Sequence, residues 1–371
     1  MTLDIPQYRL YNQRLYETTF KNPSEVVSWL GAVQAQDYAG AKWALALRAT
    51  DLSDPVIEQA YTDGAILRTH ILRPTWHFVA PADLRWMLKL AAPRVHAVNA
   101  YMYRKLELNK AIIKKSYAVL EKTLQGNKQL TRSELGSAFE KAGIVAEGQR
   151  LGYFMMSAEL DGIICSGARR GKQFTYSLLE ERVPPVKALK RDEALSELTK
   201  RYFATRGPAT LQDFVWWSGL TMADAKRGIE MTRSIFKQEV MEGQTYWVDG
   251  SITPAKNTSP SAHLLPNYDE YFIGFRDRSA IGNRVRPLHI EENSAALNAH
   301  IIIMDGQIVG GWKRTLKKGS VVVELNLLTQ LTKAENKVVA DAAQQYGKFL
   351  GLPVELALAT WIGTRSLKWK A

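Results

Sequence analysis

The run Val26-Val27-Ser28-Trp29-Leu30-Gly31-Ala32-Val33-Gln34-Ala35-Gln36-Asp37-Tyr38 limits how this chain folds more than any other, because it begins as a helix and does not continue as one. Asn22 is placed to cap, Pro23 suits the first helical position, Glu25 completes a capping box, and Val26, Leu30 and Val33 share a face. Side chains two apart on a helix diverge by about 200°. For Gln34 and Gln36 to act on one ligand the helix must stop here or pass into an extended turn, and Gly40 downstream supports an ending. A glutamine is neither a strong acid nor a strong base, yet its amide offers one acceptor oxygen and two donor hydrogens, enough to hold a water or a base edge. The same two amides could also do no more than satisfy backbone groups at a helix end.

A second segment, Leu67-Arg68-Thr69-His70-Ile71-Leu72-Arg73-Pro74-Thr75-Trp76-His77-Phe78, alternates like a half-buried strand, with Pro74 marking an edge or bulge. Read as one continuous strand, it turns Thr69, Arg73, Thr75 and His77 one way and His70, Leu72, Trp76 and Phe78 the other. His70 and His77 then face apart, which argues against a shared zinc ion. Trp76 and Phe78 suit a core; Arg73 and His77 are better placed to meet a ligand.

At 371 residues the chain has room for two or three domains, each with its own core. Cys165 is the single cysteine, so an internal disulfide and a cysteine-rich zinc site are excluded, and its setting, Gly162-Ile163-Ile164-Cys165-Ser166-Gly167, suits a buried thiol. There is no apolar run of the ~18 residues a membrane span needs and no signal peptide at Met1-Thr2-Leu3-Asp4-Ile5-Pro6, so a cytoplasmic protein is expected. Lys and Arg outnumber Asp and Glu by 49 to 37, and a formal charge of +12 favours a polyanionic partner, nucleic acid foremost.

The rest of the chain reads as repeated helices and hairpins. Residues 81 to 125 are helical, with a cationic middle at Arg104-Lys105, Lys110 and Lys114-Lys115. Thr131-Arg132-Ser133-Glu134 is a capping box, Gly143 ends that helix, another runs from about 147 to 160, and a hairpin covers 162 to 179 around Ala168-Arg169-Arg170-Gly171-Lys172. Helix, turn, helix and basic hairpin describe a winged helix, although Arg169, Arg170 and Lys172 could equally be a solvated turn. After the linker Pro184-Pro185 the order recurs, with helices near 192–205, 210–217 and 222–231 and strands over 236–248 turning at Glu242-Gly243-Gln244. From 251 loop and strand dominate: a turn-rich entry at Pro254, Asn257, Ser259 and Pro260, a hairpin from Ile301 to Trp312, a strand from Ser320 to Leu328, a helix from Lys333 to Leu350 stopped by Gly351, and a last strand. The expected fold is α+β and mainly helical: tandem winged-helix units over 1–125, 126–185 and 186–250 around a concave basic surface, then a β-rich or α+β domain over 251–371.

Taken in order, these motifs resemble the winged-helix DNA glycosylase family of the AlkZ and YcaQ type. The likeness lies in Arg9-Leu10-Tyr11-Asn12-Gln13-Arg14-Leu15, Gln34-Ala35-Gln36-Asp37-Tyr38, Thr69-His70-Ile71-Leu72-Arg73-Pro74-Thr75-Trp76-His77, Arg206-Gly207-Pro208-Ala209-Thr210 with Asp213-Phe214-Val215-Trp216-Trp217, and Leu264-Leu265-Pro266-Asn267-Tyr268-Asp269-Glu270-Tyr271 with Phe275-Arg276-Asp277-Arg278. Each motif is weak alone; the ordered set spans nearly the whole chain. The resemblance implies that Gln34 and Gln36 are the catalytic pair of a monofunctional glycosylase that uses water to release bulky or crosslinked N7-alkylpurines from double-stranded DNA. Relatives of the YcaQ type carry aspartate where this chain has Gln36, which makes it more similar to the azinomycin-resistance branch, although Ala35 is a small middle residue.

Such chemistry is reasonable for glutamine. A purine alkylated at N7 is already cationic and leaves without a strong acid, so a dipole and an oriented water suffice. Thr69, His70, Arg73, His77, Arg169, Arg170 and Lys172 are the expected DNA contacts, Asp37 is an alternative base that could instead be a helix cap, and Asp269-Glu270 with Arg276 and Arg278 reads as an ion-pair network. No cofactor or metal is expected, since no Walker loop, dinucleotide fingerprint or HExxH motif is present, and a monomer suffices where one chain already carries several DNA-binding units. The competing functions are a winged-helix transcriptional regulator without enzymatic activity and, more distantly, a small-molecule hydrolase built on the Asp269 region.

Overall fold

The computed structural model describes residues 3–186, 188–252, 254, 259–285 and 300–358. The first helix of consequence, Pro23–Leu30, carries the expected capping box: Asn22 Oδ1 accepts the Glu25 N–H at 3.0 Å and Glu25 Oε2 accepts the Asn22 N–H at 3.3 Å. It stops at Gly31, whose φ of 77° favours glycine. That end falls three residues before Gln34, so Gln34 sits not in a helix but in a short strand β1, Val33–Gln34. Asp37 then caps the next helix, Tyr38–Ala46, by accepting the Gly40 N–H at 3.1 Å. The two glutamines thus lie in a non-helical link between two helix ends, Gln34 in the strand and Gln36 in the bend after it.

Residues 67 to 79 form a hairpin rather than one strand. β2, Leu67–His70, and β3, Trp76–Val79, run antiparallel, with the break at 71–75 closed by the Thr75 N–H on the Arg73 carbonyl at 2.7 Å. β1 adds to the free edge of β3, giving the order β1-β3-β2. The stretch expected to be helical over 81 to 125 is two helices, Pro81–Lys105 and Lys110–Leu124; Glu107 takes a φ of 56° between them and Asn109 caps the second.

The helix Arg132–Lys141 starts at the Thr131 and Glu134 capping box, the helix Gln149–Leu160 follows, and β5, Ile164–Ser166, and β6, Thr175–Leu178, form a hairpin that β4, Leu130–Thr131, extends to the order β4-β6-β5. Helices Arg191–Arg206, Leu211–Ser218 and Met222–Met231 come next, then the hairpin of β7, Phe236–Met241, and β8, Gln244–Asp249. Of the turn-rich entry that follows, Asn257 lies outside the described residues.

The C-terminal part is a five-stranded sheet of order β13-β12-β11-β10-β9, made of Ala262–Leu265 (β9), Ile301–Met304 (β10), Gln307–Lys317 (β11), Ser320–Leu327 (β12) and Val354–Leu358 (β13). Only the β12–β13 pairing is parallel, because the helix Lys333–Leu350 carries the chain across between them. One hydrophobic core joins this sheet to the N-terminal helices: Trp43 and Trp312 are buried together in it, their indole N–H groups bonded to the adjacent Leu264 and Leu265 carbonyls at 2.6 and 2.8 Å. The fold is therefore a mixture of helix and strand in which sequence-distant halves share a core. Among the described residues no helix is long and apolar enough to cross a membrane.

The Asp269-Glu270 pair is ionic, as expected, but with other partners. Asp269 binds Arg48 and Glu270 binds Arg206, at 2.7 and 2.6 Å and with all four side chains sealed from solvent. Arg276 bonds instead through its backbone N–H to Asp213 Oδ1 on the helix Leu211–Ser218, and Arg278 through Nε to the nearby Phe272 carbonyl.

Candidate active site

Glu270 organises the strand that carries Gln34. Its Oε1 accepts the Gln34 backbone N–H at 2.9 Å, while Oε2 accepts from Arg206 Nη2 at 2.6 Å and from the Trp217 indole N–H at 2.9 Å. Arg206 in turn donates to the carbonyls of Leu30 and Ala32 at 2.9 and 3.1 Å. One buried carboxylate and one buried guanidinium therefore fix the helix end, the turn and β1 at once. Removing either partner leaves an uncompensated buried charge, worth about 3–5 kcal/mol of stability.

The register then sets the site. Gln34 pairs with His77 and His77 pairs with Thr69, so the three lie side by side across β1, β3 and β2 on one face of the sheet. Their relative exposures are 6%, 0% and 0%. Gln34 Oε1, His77 Nε2 and Thr69 Oγ1 each lack a hydrogen-bond partner among the described residues. His77 Nδ1 lies 2.9 Å from the Thr75 carbonyl, which only accepts, so the ring proton is on Nδ1 and Nε2 holds a lone pair. Burial pushes the His77 pKa well below the usual histidine value, and the Arg73, His70 and Arg206 charges add to the effect. The ring is neutral at physiological pH.

Ala35 is buried and held at both backbone groups, its N–H on the Trp76 carbonyl at 2.8 Å and its carbonyl receiving Arg68 Nε at 2.9 Å. Gln34 lies in the strand and is buried, whereas Gln36 lies in the bend that follows it and is exposed. Asp37 is committed elsewhere: besides capping, its Oδ2 pairs with Arg314 at 3.1 Å. Arg73 occupies the hairpin tip, partly buried, with Nε and Nη2 lacking partners among the described residues. Gly219 permits that tip to approach the helix Leu211–Ser218: its φ is 71° and a Cβ there would meet the Leu72 carbonyl oxygen at 2.6 Å.

The remaining site candidates lie apart from this row. His70 points to the other face of the sheet, where its Nδ1 meets the buried carboxylate of Glu159 and its ring stacks 4.5 Å from Trp76. A cavity of about 250 Å³ adjoins it, lined by Trp76, Arg132, Tyr153 and Tyr176 among others. On the β5–β6 hairpin, Arg169 pairs with Glu58 at 3.2 Å and lies over the Tyr38 ring, Arg170 pairs with Glu134 at 2.8 Å, and Lys172 is exposed. Cys165 is buried, and burial raises its thiol pKa to about 12. Among the described residues no three His, Cys, Asp or Glu side chains converge as metal ligands do.

Sequence reading missed the Arg206 clasp on Glu270 and the Glu159 partner of His70. It also passed over Arg68, whose guanidinium lies over Trp76 and Phe174 at 4.4 and 4.5 Å. An arginine inside the apolar run Ile66-Leu67 was the one available signal, since a charge there must find a buried role.

A family model described as DNA glycosylase AlkZ-like matches residues 27–349. Among curated proteins, an interstrand DNA cross-link repair glycosylase from Streptomyces sahachiroi is 23% identical over 319 residues, covering 82% of this chain and 86% of that protein. Among solved structures, the Streptomyces sahachiroi DNA glycosylase AlkZ is similar with a TM-score of 0.77 at 22% identity, covering 95% of this chain and 98% of that one.

Proposed function

The chain belongs to the AlkZ-like DNA glycosylase family, and on that premise we propose that it is a monofunctional enzyme that hydrolyses the N-glycosidic bond of bulky or crosslinked N7-alkylpurines in double-stranded DNA. The observation that carries this reading is the amide of Gln34: buried, without a partner for its oxygen, and on a strand immobilised by Glu270 and Arg206. Preorganised dipoles of this kind stabilise charge that develops in a transition state, because they need no reorientation when it forms. Here the charge is the positive one that grows on the sugar as the cationic purine departs. Gln34 and Gln36 are the proposed catalytic pair, the exposed Gln36 facing the incoming nucleoside.

DNA enters over the hairpin tip that carries the partly buried Arg73. In this reading the two helix-helix-hairpin units at 132–178 and 191–249 are winged helices that line a basic concavity with the N-terminal one, and Arg169, Arg170 and Lys172 follow the backbone. Thr69 and His77 lie beneath that entrance, and His70 braces it from the far face. The protein acts as a monomer in the cytoplasm, without cofactor. Asp37 is a poor base candidate because it is both a cap and an ion-pair partner, and a hydrolase site at Asp269 is disfavoured by its sealed pairing with Arg48.

The test is release of free base from duplexes containing N7-methylguanine or a nitrogen-mustard crosslink, comparing the wild type with Gln34→Ala and Gln36→Ala. Base release that is lost in the glutamine variants supports the assignment. Duplex binding that ignores the lesion and releases nothing returns the protein to the regulator class. Loss of release in Asp37→Ala with both glutamine variants active moves the chemistry to Asp37.

A further inference from the structure

We infer that Gln34, His77 and Thr69 form the seat of one water molecule and that His77 Nε2 takes a proton from it as it attacks the sugar, an inference that rests on the glycosylase reading above. Three consecutive cross-strand neighbours each present one buried side-chain atom without a partner among the described residues, Oε1, Nε2 and Oγ1. A buried polar atom left unpaired costs about 1–3 kcal/mol, so three in one row call for a common partner.

Their chemistry identifies it. Gln34 Oε1 only accepts. His77 Nε2 only accepts, because the ring proton is engaged with the Thr75 carbonyl. Thr69 Oγ1 has a hydrogen to give. Two acceptors and one donor are the complement of a water that gives both hydrogens and receives one, which leaves its second lone pair free. A cation does not suit the seat, since Arg73 and Arg206 both act on His77 with positive charge. An anion does not suit it either, because two of the three atoms in the row, Gln34 Oε1 and His77 Nε2, only accept.

The free lone pair makes this water a nucleophile. The bond between sugar C1′ and purine N9 breaks with its electron pair going to the purine, which neutralises the cationic ring. The water oxygen bonds to C1′, one of its protons passes to His77 Nε2, and the imidazolium returns that proton to solvent. Neutral His77 is required at the start. The charged groups on its side are Arg73 on the hairpin tip and Arg206 on the helix Arg191–Arg206, paired there with Glu270, while the imidazole of His70 lies on the opposite face of the sheet; burial and the two guanidinium charges hold His77 neutral. Thr69 is a positioning residue that orients the water through its hydroxyl.

The experiment is single-turnover release of N7-methylguanine from a duplex by the full chain, with affinity for undamaged duplex and thermal unfolding measured alongside, for wild type, His77→Gln, Thr69→Val, Thr69→Ser and Gln34→Ala. His77→Gln keeps an acceptor but cannot carry the proton, and release slows about 100-fold. The wild-type rate holds level through pH 6.5 and falls only on acidification well below it, and that limb is absent in His77→Gln. Thr69→Val slows release about 10-fold, the equivalent of one hydrogen bond, and Thr69→Ser restores most of it. A folded His77→Gln protein with wild-type rate and pH profile, alongside an inactive Gln34→Ala, overturns the proton transfer while leaving the glycosylase intact. Should His77→Gln not fold, the threonine pair decides: equal rates in folded Thr69→Val and Thr69→Ser overturn the seat. A wild type that releases no base overturns the glycosylase reading itself, and this inference with it.

Discussion

Glu270 holds Gln34 by the backbone, not by the side chain: its Oε1 accepts the Gln34 N–H at 2.9 Å, and the amide oxygen of Gln34 has no partner among the described residues. Position and chemistry are thereby separated, since the strand is anchored by one set of bonds and the functional group is kept free of them. Glu270→Gln is expected to lower the unfolding free energy by about 3–5 kcal/mol, because Arg206 is left as a buried charge without a counterion. Urea unfolding followed by circular dichroism checks this, with the midpoint falling and the slope unchanged. A loss below 1 kcal/mol would contradict the anchoring role.

Gln34→Ala is expected to do the reverse. Its amide oxygen makes no hydrogen bond among the described residues, so truncation strands no partner there and stability changes by under about 1 kcal/mol or rises, as happens when a functional site gives up a poorly satisfied group. Base release meanwhile falls by about 100-fold or more, the scale seen when one preorganised dipole is removed. Gln36→Ala, at an exposed position, stays within about 0.5 kcal/mol of wild type. Melting curves and base-release rates on the same preparations separate the two effects; equal losses of stability and activity would identify Gln34 as a structural residue.

What the sequence disclosed follows from how far each interaction reaches. The capping boxes at Asn22 and Thr131 and the stop at Gly351 were legible because cap and partner lie within a few residues. The 67–79 segment is a hairpin rather than one strand, yet Thr69 and His77 share a face as on a straight strand, because the hairpin's register sets them directly opposite each other. The partners of Asp269 and Glu270 were not legible. Arg276 and Arg278 are near in sequence, whereas Arg48 and Arg206 lie 221 and 64 residues away, and nothing local encodes that closure. The row of Gln34, His77 and Thr69 was hidden for the same reason, since it exists only once β1 adds to the hairpin.

Lys172 and Arg170 stand two residues apart on the β5–β6 hairpin, yet they are not equivalent. Arg170 is engaged with Glu134 and with the Gln129 carbonyl, while Lys172 is exposed. If this hairpin lies on the DNA backbone, Lys172→Ala reduces the slope of log affinity against log salt by about 0.9, the value of one phosphate contact. Arg170→Ala changes it less and also disturbs the cap that Glu134 makes at Thr131. Titrations of a duplex by fluorescence anisotropy across a salt series measure both slopes. An unchanged slope in Lys172→Ala takes the hairpin off the DNA.

The C-terminal sheet carries a proton-linked stability. His300 Nδ1 accepts the Asn267 backbone N–H at 2.8 Å, so the ring must be unprotonated at that nitrogen, and protonation there breaks the bond. Burial, with the Arg314 guanidinium adding to it, lowers the His300 pKa from 6.5 to about 4, and burial does the same at His263. The folded value lies below the unfolded one, so between these limits the unfolded chain binds more protons than the folded chain. The stabilisation is complete above pH 6.5 and is lost as the pH falls toward 4. His300→Gln keeps an acceptor for Asn267 and cannot titrate, so it flattens part of this slope; His263→Gln removes a further part, and the buried His77 keeps its own share. Unfolding midpoints at pH 7, 6, 5 and 4 test it; a slope over this range that survives both substitutions unchanged assigns the linkage to other groups.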